Sequence, residues 1–448
     1  MTLGATRDSV EDRPLGKKSI APSLPDSVWL TEAPPATPAL RGHTRADIAI
    51  VGGGITGLSA AYHFKQRYPN KQIVVLEGQR IGFGASGRNS GFISQEYHGW
   101  DSLFFSKGAA AVEPYAEYAE RGYRQLVETI AREAIDCDLQ ESGALRLAKK
   151  DAEVRTLEKQ VPAYARLGRS VELWQGQDLA ARIGSEFYPA GVFLPHWATL
   201  HPGKLVRGLR STVEALGVHT YEHTPVQQLR RGSPVELVCP DGRLSADTVV
   251  VATNAYTPQL GLFRHILMPL HLYVMVTRPV DEAVIGHGAW TSVPGRYEMD
   301  ATHTIRLTPD GRLLIRGGAR YDYNSRVADR HQPRAYQRLA ERLLARYPYL
   351  GNVRAAHGWS GVMALTRAHT PLLGRLENDP RVLFSVGYNG FGLVSGFYGG
   401  RLVCELYANQ PNPDLALMTS PAKAGWLPPE PLRYVSLNVS LALRHHRL

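Results

Sequence analysis

Asp47-Ile48-Ala49-Ile50-Val51-Gly52-Gly53-Gly54-Ile55-Thr56-Gly57 carries more architectural information than any other part of this 448-residue chain. Four consecutive apolar residues from Ile48 mark a strand buried on both faces, as in a parallel sheet. The glycines then fall in the G-x-G-x-x-G pattern, with Gly52, Gly54 and Gly57 in the key places. The first permits a tight turn out of the strand. The second lets backbone approach a pyrophosphate, and the third lets the following helix pack close to the sheet. That helix is expected from about Leu58 to Arg67, and a second buried strand from Gln72 to Leu76. Glu77 ends that strand, twenty residues after Gly57. A carboxylate there can hydrogen-bond ribose hydroxyls and argues against a 2′-phosphate.

The next glycine-rich loop, Gly82-Phe83-Gly84-Ala85-Ser86-Gly87-Arg88-Asn89-Ser90-Gly91, distinguishes NAD from FAD. Its small residues allow backbone to run against a flat ring system, while Ser86 and Arg88 offer polar contacts to phosphate and ring edge. Further along, the pattern stays mixed α/β. Helices are expected over 113–134, 151–167 and 205–216, with a strand over 144–148. Val235–Val238 turns through Pro240-Asp241-Gly242 into Leu244, and Thr248–Ala252 is another apolar run ending in Thr253-Asn254-Ala255. Residues 272–277, 304–307 and 313–317 read as an antiparallel sheet, with a hairpin turn at Pro309-Asp310-Gly311. Val382–Val386 is one more buried strand, followed by Gly387-Tyr388-Asn389-Gly390-Phe391-Gly392-Leu393 and a helix through Leu406. These readings give an FAD-binding domain over 46–98, 199–262 and 356–410, and a substrate domain over 99–198 and 263–355. Proline-rich arms flank them: residues 1–45, with Trp29 and Leu30 as an anchor, and residues 411–448, where 434–443 forms a strand or a helix.

Composition narrows the function. At 44% hydrophobic residues the chain can build sizeable cores, and no apolar run reaches the length of a membrane span. The start lacks the pattern of a secretory leader. Cys137, Cys239 and Cys404 are too far apart for a thiolate metal site and fit a reducing, cytoplasmic setting. The net charge of +10, with only ten lysines, comes from arginine. Those charges are dispersed, so no nucleic-acid site is expected. Arg330, Arg334, Arg338, Arg342 and Arg346 wind around a helix as a solvated stripe, with Leu339, Leu343 and Leu344 on the other side. The histidines lack metal-ligand spacing, and His445-His446 is expected to be disordered.

The segments Asp47–Gly57, Glu77, Gly82–Gly91, Asp247–Tyr256 and Val386–Gly400 resemble the D-amino-acid-oxidase-like (DAO) family of FAD-dependent oxidoreductases. The loop Ala85–Asn89, the proline-rich arm and Trp426-Leu427-Pro428-Pro429 look most like the γ-glutamylputrescine oxidase branch. The resemblance implies an α/β fold: a discontinuous Rossmann-type FAD domain with an antiparallel-sheet α+β substrate domain, the glutathione-reductase-2-like arrangement. It places the pyrophosphate at Gly52, Gly54, Ile55, Thr56 and Gly57, and the adenosine ribose at Glu77 and Gly78. Val226 meets adenine, and Thr253, Asn254 and Ala255 meet the dinucleotide. Ala85, Ser86, Gly87, Arg88, Asn89, Ser90 and Gly91 run along the isoalloxazine. Gly361, Tyr388, Asn389, Gly390, Phe391, Gly392 and Leu393 form its second contact, with helix amides facing the edge that gains negative charge. Relatives that bind flavin covalently use a late cysteine or a histidine in the ring loop. Here those places hold Ser360–Ala364 and Asn89, so FAD is expected without a covalent bond, and Cys404 is core.

The implied reaction is oxidation of a primary or secondary amine, such as an amino acid or polyamine derivative, with O2 or another acceptor taking the electrons. Flavin chemistry of this kind needs positioning and desolvation more than acid–base side chains. His98, Arg316, Tyr321, Tyr323, Trp359 and Phe391 are the candidates for the substrate face. Oxidation of a 2-hydroxy acid, a non-catalytic flavin-binding role and action on a tRNA-borne amine are the alternatives. The last is disfavoured because no methyltransferase-type partner domain is evident.

Overall fold

A computed structural model describes residues 27–32, 34–97, 99–300, 303–325, 332–351 and 353–443. Gly42–Val51 lies at the centre of a parallel sheet, between Ile73–Leu76 and Gly242–Val251, with His219–Tyr221 and Asp379–Val386 outside them. Leu372–Leu376 adds an antiparallel edge. Ile48, Ala49, Ile50 and Val51 are buried because both faces are covered. Helices Ile55–Arg67, Ala109–Arg132, Pro202–Ala215 and Gly392–Tyr407 pack on one face. The hairpin of Gln228–Arg230 and Val235–Val238, with residues 260–267, packs on the other.

The first helix starts at Ile55, three residues before the expected start, and Gly54 is its extended N-cap. Gly52 makes the turn with φ of 109°, and Gly57 already lies inside the helix. A Cβ on Gly57 would fall 1.9 Å from the carbonyl oxygen of Gly52, so helix and turn touch through bare backbone. The same helix meets Gly392–Tyr407 at equal intimacy: a Cβ on Gly400 would lie 2.6 Å from the amide of Ala60. Two helix N-termini are thereby brought to one end of the sheet.

The antiparallel sheet runs in the order His357–Leu365, Met268–Pro279, Arg312–Arg320, His303–Leu307, Gly295–Glu298, Ala144–Ala148, Ala190–Leu194, Glu172–Gln175. Gly295–Glu298 and Ala144–Ala148 pair in parallel, joining sequence-distant halves. His357–Leu365 thus continues this sheet beyond residue 355. Its alternation looks the same from sequence whichever sheet it joins. One face packs Met275, Ile305 and Ile315 against Leu339 and Leu343 of the Gln332–Arg346 helix. The arginine stripe is only partly a solvated one. Arg346 is buried and its Nε donates to Glu298 at 2.5 Å, in a network that also takes Lys149, Tyr188 and His303. Arg330, at the other end of the stripe, lies outside the described residues.

The arms are tied to the body. Trp29, in a single turn over Val28–Leu30, is 3% exposed; its indole donates to the carbonyl of Asn89 at 2.9 Å, and its ring meets His201 and Trp359 edge-on. Gly203 makes room, since a Cβ there would lie 1.8 Å from the carbonyl oxygen of Trp29. At the other end Leu432–Leu443 is a helix, and Asn438 Nδ2 donates to the carbonyl of Tyr321 at 2.9 Å. His445 and His446 lie outside the described residues. Among the described residues no helix is long and apolar enough to cross a membrane.

Candidate active site

A cavity of about 2600 Å3 runs from the tips of the parallel strands, past the Ala85–Gly91 loop, to the antiparallel sheet. At the parallel-sheet end its wall is mostly backbone. Gly52, Gly54, Ile55 and Thr56 line it, as do Thr253, Asn254 and Ala255. Glu77 is held there by two amides: Oε2 accepts from Gly53 N at 2.8 Å and Oε1 from Gln79 N at 2.9 Å. Burial raises its pKa against the opposing pull of these bonds. Each oxygen keeps lone-pair capacity for a sugar hydroxyl. Gly78 and Val226 complete this end.

The ring loop is fixed from three sides. Asn89 Nδ2 donates to the carbonyls of Ala85 and Ser86 at 3.0 and 2.8 Å, and Asn89 Oδ1 accepts from Gly91 N at 2.7 Å. Arg88 is buried, and its Nε donates to the carbonyl of Phe83. Ser86 Oγ accepts from Ile55 N at 2.9 Å, so this hydroxyl joins the loop to the first helix. Opposite, Asn389 and Gly390 adopt positive φ and bring the Gly392–Tyr407 N-terminus to the wall, beside Phe391, Leu393 and Gly361. Tyr388 reaches back instead, its hydroxyl accepting from Thr56 Oγ1 at 3.0 Å. Asn254 Oδ1 accepts from Gly387 N at 2.9 Å, locking the two strand-exit turns together.

The cavity suits a dinucleotide by three independent features. Two helix N-termini open onto it, which favours anions and electron-rich edges. Gly54 leaves space that a Cβ would close, 2.8 Å from Ser86 Oγ. The hydroxyl of Tyr256, on the same wall, is buried with no partner among the described residues, and burial pushes its pKa up to about 12. A polar ligand would satisfy it. None of the three cysteines lines the cavity.

At the antiparallel-sheet end the wall is made of side chains. Cross-strand register puts Trp359, Val274, Arg316, Thr304, Tyr297 and Arg146 on one rung, hence on one face. The last five line the cavity. Arg316 donates to Thr304 Oγ1, and burial lowers its pKa to about 10, so it stays charged at neutral pH. Tyr297 stacks on Trp197, rings 4.7 Å apart, and Phe391 meets Trp197 edge-on. Arg146 Nη1 donates to Gln160 Oε1 at 3.0 Å. Near it Glu96 accepts from His196 Nε2 at 2.5 Å. Burial works to raise the pKa of Glu96, but the His196 bond and the charges of His196, Arg146 and Arg169 outweigh it and hold the pKa down.

Of the expected substrate-face residues, Arg316 and Phe391 line the cavity. Trp359 is on the rung but fully buried, donating to the carbonyl of Arg88 at 3.0 Å, so it braces the ring loop from behind. Tyr321 is buried away from the wall and bonds Glu430, and Tyr323 is on the surface. These three are corrections: the Trp359 indole and the Tyr321 phenol are engaged inside the fold, and Tyr323 stands in the exposed Tyr323–Ser325 turn with its ring against Tyr434. His98 lies outside the described residues. Gly57 and Gly87 also stand behind the wall, where close packing requires them. Arg146, Tyr297, Thr304, Trp197 and Glu96 were not anticipated. Arg146 had a visible signal, a charge inside the apolar strand Ala144–Ala148.

A family model for FAD dependent oxidoreductases, DAO, matches residues 47–406. Gamma-glutamylputrescine oxidoreductase of Escherichia coli (strain K12) is 32% identical over 373 residues, covering 80% of this chain and 83% of that protein. Glycine oxidase of Geobacillus kaustophilus is 24% identical over 379 residues, covering 81% of this chain and 93% of that protein. The crystal structure of glycine oxidase from Geobacillus kaustophilus superposes with a TM-score of 0.70 at 20% identity, covering 83% of this chain and 96% of that one. A crystal structure of L-proline dehydrogenase from P. horikoshii gives 0.65 at 19% identity, covering 83% and 94%. The glycine-rich strand exit, the carboxylate on the next strand and the two-sheet fold find their explanation here: this chain belongs to the DAO family of FAD-dependent oxidoreductases.

Proposed function

We propose that the protein oxidises a small amine or amino acid, with FAD held non-covalently in the described cavity. Gly52, Gly54, Ile55 and Thr56 take the pyrophosphate, Glu77 the adenosine ribose, and the Ala85–Gly91 and Gly390–Leu393 segments the ring. Held there, FAD would supply two-electron oxidation of the substrate's C–N bond, the imine product hydrolysing in water, with O2 (giving H2O2) or another acceptor taking the electrons.

The protein's own contribution is placement and dryness. Arg316 holds an acceptor group of the substrate close to the reacting carbon, with its guanidinium oriented by Thr304. Trp197, Tyr297 and Phe391 exclude water and limit the orientations of the chain between. The N-terminus of Gly392–Tyr407 favours negative charge at the wall it meets. A single observation carries this reading: a continuous cavity joins the nucleotide-type glycine turn to an arginine-bearing, aromatic wall. The names of the relatives, which act on gamma-glutamylputrescine and glycine, support an amine donor.

The test is anaerobic titration of the purified yellow protein with amines, amino acids and 2-hydroxy acids, following loss of the visible flavin band. Bleaching by amines alone is the expected result. Bleaching only by hydroxy acids, or a protein that binds no flavin, overturns the proposal.

A further inference from the structure

The helix Leu432–Leu443 has a single charged side chain, Arg433, and that one is buried. Its inward face is fastened to the body. Arg433 donates to the carbonyls of Pro428 and Arg264 at 2.8 and 2.7 Å, and Asn438 donates to that of Tyr321. Leu437, Ser440 and Leu441 line the cavity. The outward face is apolar. At about 100° per residue, Leu432, Val435, Val439 and Leu443 fall within an arc of about 80°, and all four are 53–76% exposed. Ser436 and Ala442 flank them, so this face bears no charge. A surface helix ordinarily turns charged and polar residues outward, and an apolar stripe left outside marks a contact surface. Trp426, also more than half exposed, stands at the cavity rim beside the start of this helix.

Positive charge surrounds the stripe. Arg264, Arg367 and Lys423 are exposed around Trp426. Trp426 stacks on His265, Arg367 lies over Gly425, and Lys423 ends the turn just before it. Arg444 and Arg447, outside the described residues, follow the helix in sequence. The neighbouring carboxylate, Glu430, is engaged by the Tyr321 hydroxyl and the Tyr434 amide. An apolar stripe rimmed by basic side chains complements an anionic lipid surface. A second copy of the chain fits less well. A stable protein interface takes about 800 Å2 and roughly 20–30 residues a side, more than one stripe on a 12-residue helix supplies. At about 1.5 Å per residue this helix is about 18 Å long, short of the ~30 Å hydrocarbon core. It can lie in a bilayer interface without crossing it.

We infer that the Leu432–Leu443 helix docks the protein on an anionic bilayer surface, with Leu432, Val435, Val439, Leu443 and Trp426 entering the headgroup region. The same helix forms part of the cavity wall, so a docked protein presents its cavity rim to the interface.

The experiment sediments the full-length, FAD-loaded protein with vesicles of phosphatidylcholine alone, or of phosphatidylcholine with about one third phosphatidylglycerol. The wild type should bind the anionic vesicles about 10–100-fold more tightly, and added salt should weaken that binding. Val435→Ser combined with Val439→Ser, which changes no charge, should weaken binding to anionic vesicles by about 10-fold or more. Both positions are off the cavity wall, so flavin content and melting temperature should stay at the wild-type values and show that the variant is folded. A wild type that ignores both vesicles, or a folded double variant that binds as well as the wild type, overturns the inference. So does a wild-type dimer in analytical ultracentrifugation that the same substitutions dissociate, since the stripe would then belong to a second copy. Vesicle binding is read without turnover, and its failure leaves amine oxidation standing.

Discussion

The two ends of the cavity do their work with different atoms. Around the glycine turn the functional groups are amides and one carboxylate, presented by a backbone that packs without side chains between. On the antiparallel sheet they are arginine, threonine and aromatic side chains, placed by register across strands that come from four separate stretches of sequence. A backbone site tolerates almost no change at a few positions. A side-chain site tolerates many changes to its scaffold and is re-aimed by single substitutions.

The contrast is broken most severely at Gly57. Gly57→Val puts carbon where the Gly52 carbonyl lies, and should cost about 3 kcal/mol or more, with loss of bound flavin. Urea unfolding and the visible spectrum measure both. A variant that folds and stays yellow would show the turn to be adaptable. Next, Arg316→Met should raise KM for an amino-acid substrate by about 10–100-fold with little change in melting temperature. Steady-state kinetics with thermal melts separates that from a folding defect.

Glu96→Gln tests the antiparallel-sheet end through pH. A carboxylate held below its ordinary value of 4.5 stabilises the fold fully above that pH and loses the contribution as pH falls through its lowered value. The acid limb of stability against pH should therefore be shallower in Glu96→Gln than in the wild type. Equal limbs would mean that the His196 pairing contributes nothing net. Smallest of all, Tyr323→Ala alters an exposed ring off the wall and should shift stability by less than about 0.5 kcal/mol, with KM unchanged.

The same contrast explains what could be read from residues alone. Gly52, Gly54 and Glu77 announce themselves because local spacing is their function, and strands such as Ala144–Ala148 follow from their apolar runs. Arg146 and Arg316 lie 170 positions apart in the chain yet share a rung, and no local pattern encodes that pairing. Trp359 and Tyr321 misled for another reason: Trp359 shares the face of the rung but the ring loop and the Trp29 ring cover it, and Tyr321, just past Arg312–Arg320, turns to Glu430, contacts that no local pattern encodes. The early start of the first helix is a subtler miss: the three-glycine turn is completed by Gly54, so Gly57 is already helical.

The clasp between Trp29 and Trp359 also bears on assembly. The ring loop is secured by an indole from near the beginning of the polypeptide and another 330 positions later. The loop has its second clasp only once residue 359 is present, so a chain cut before Trp359 should form its first βαβ unit yet hold the ring loop loosely, with a lower flavin content than the full chain.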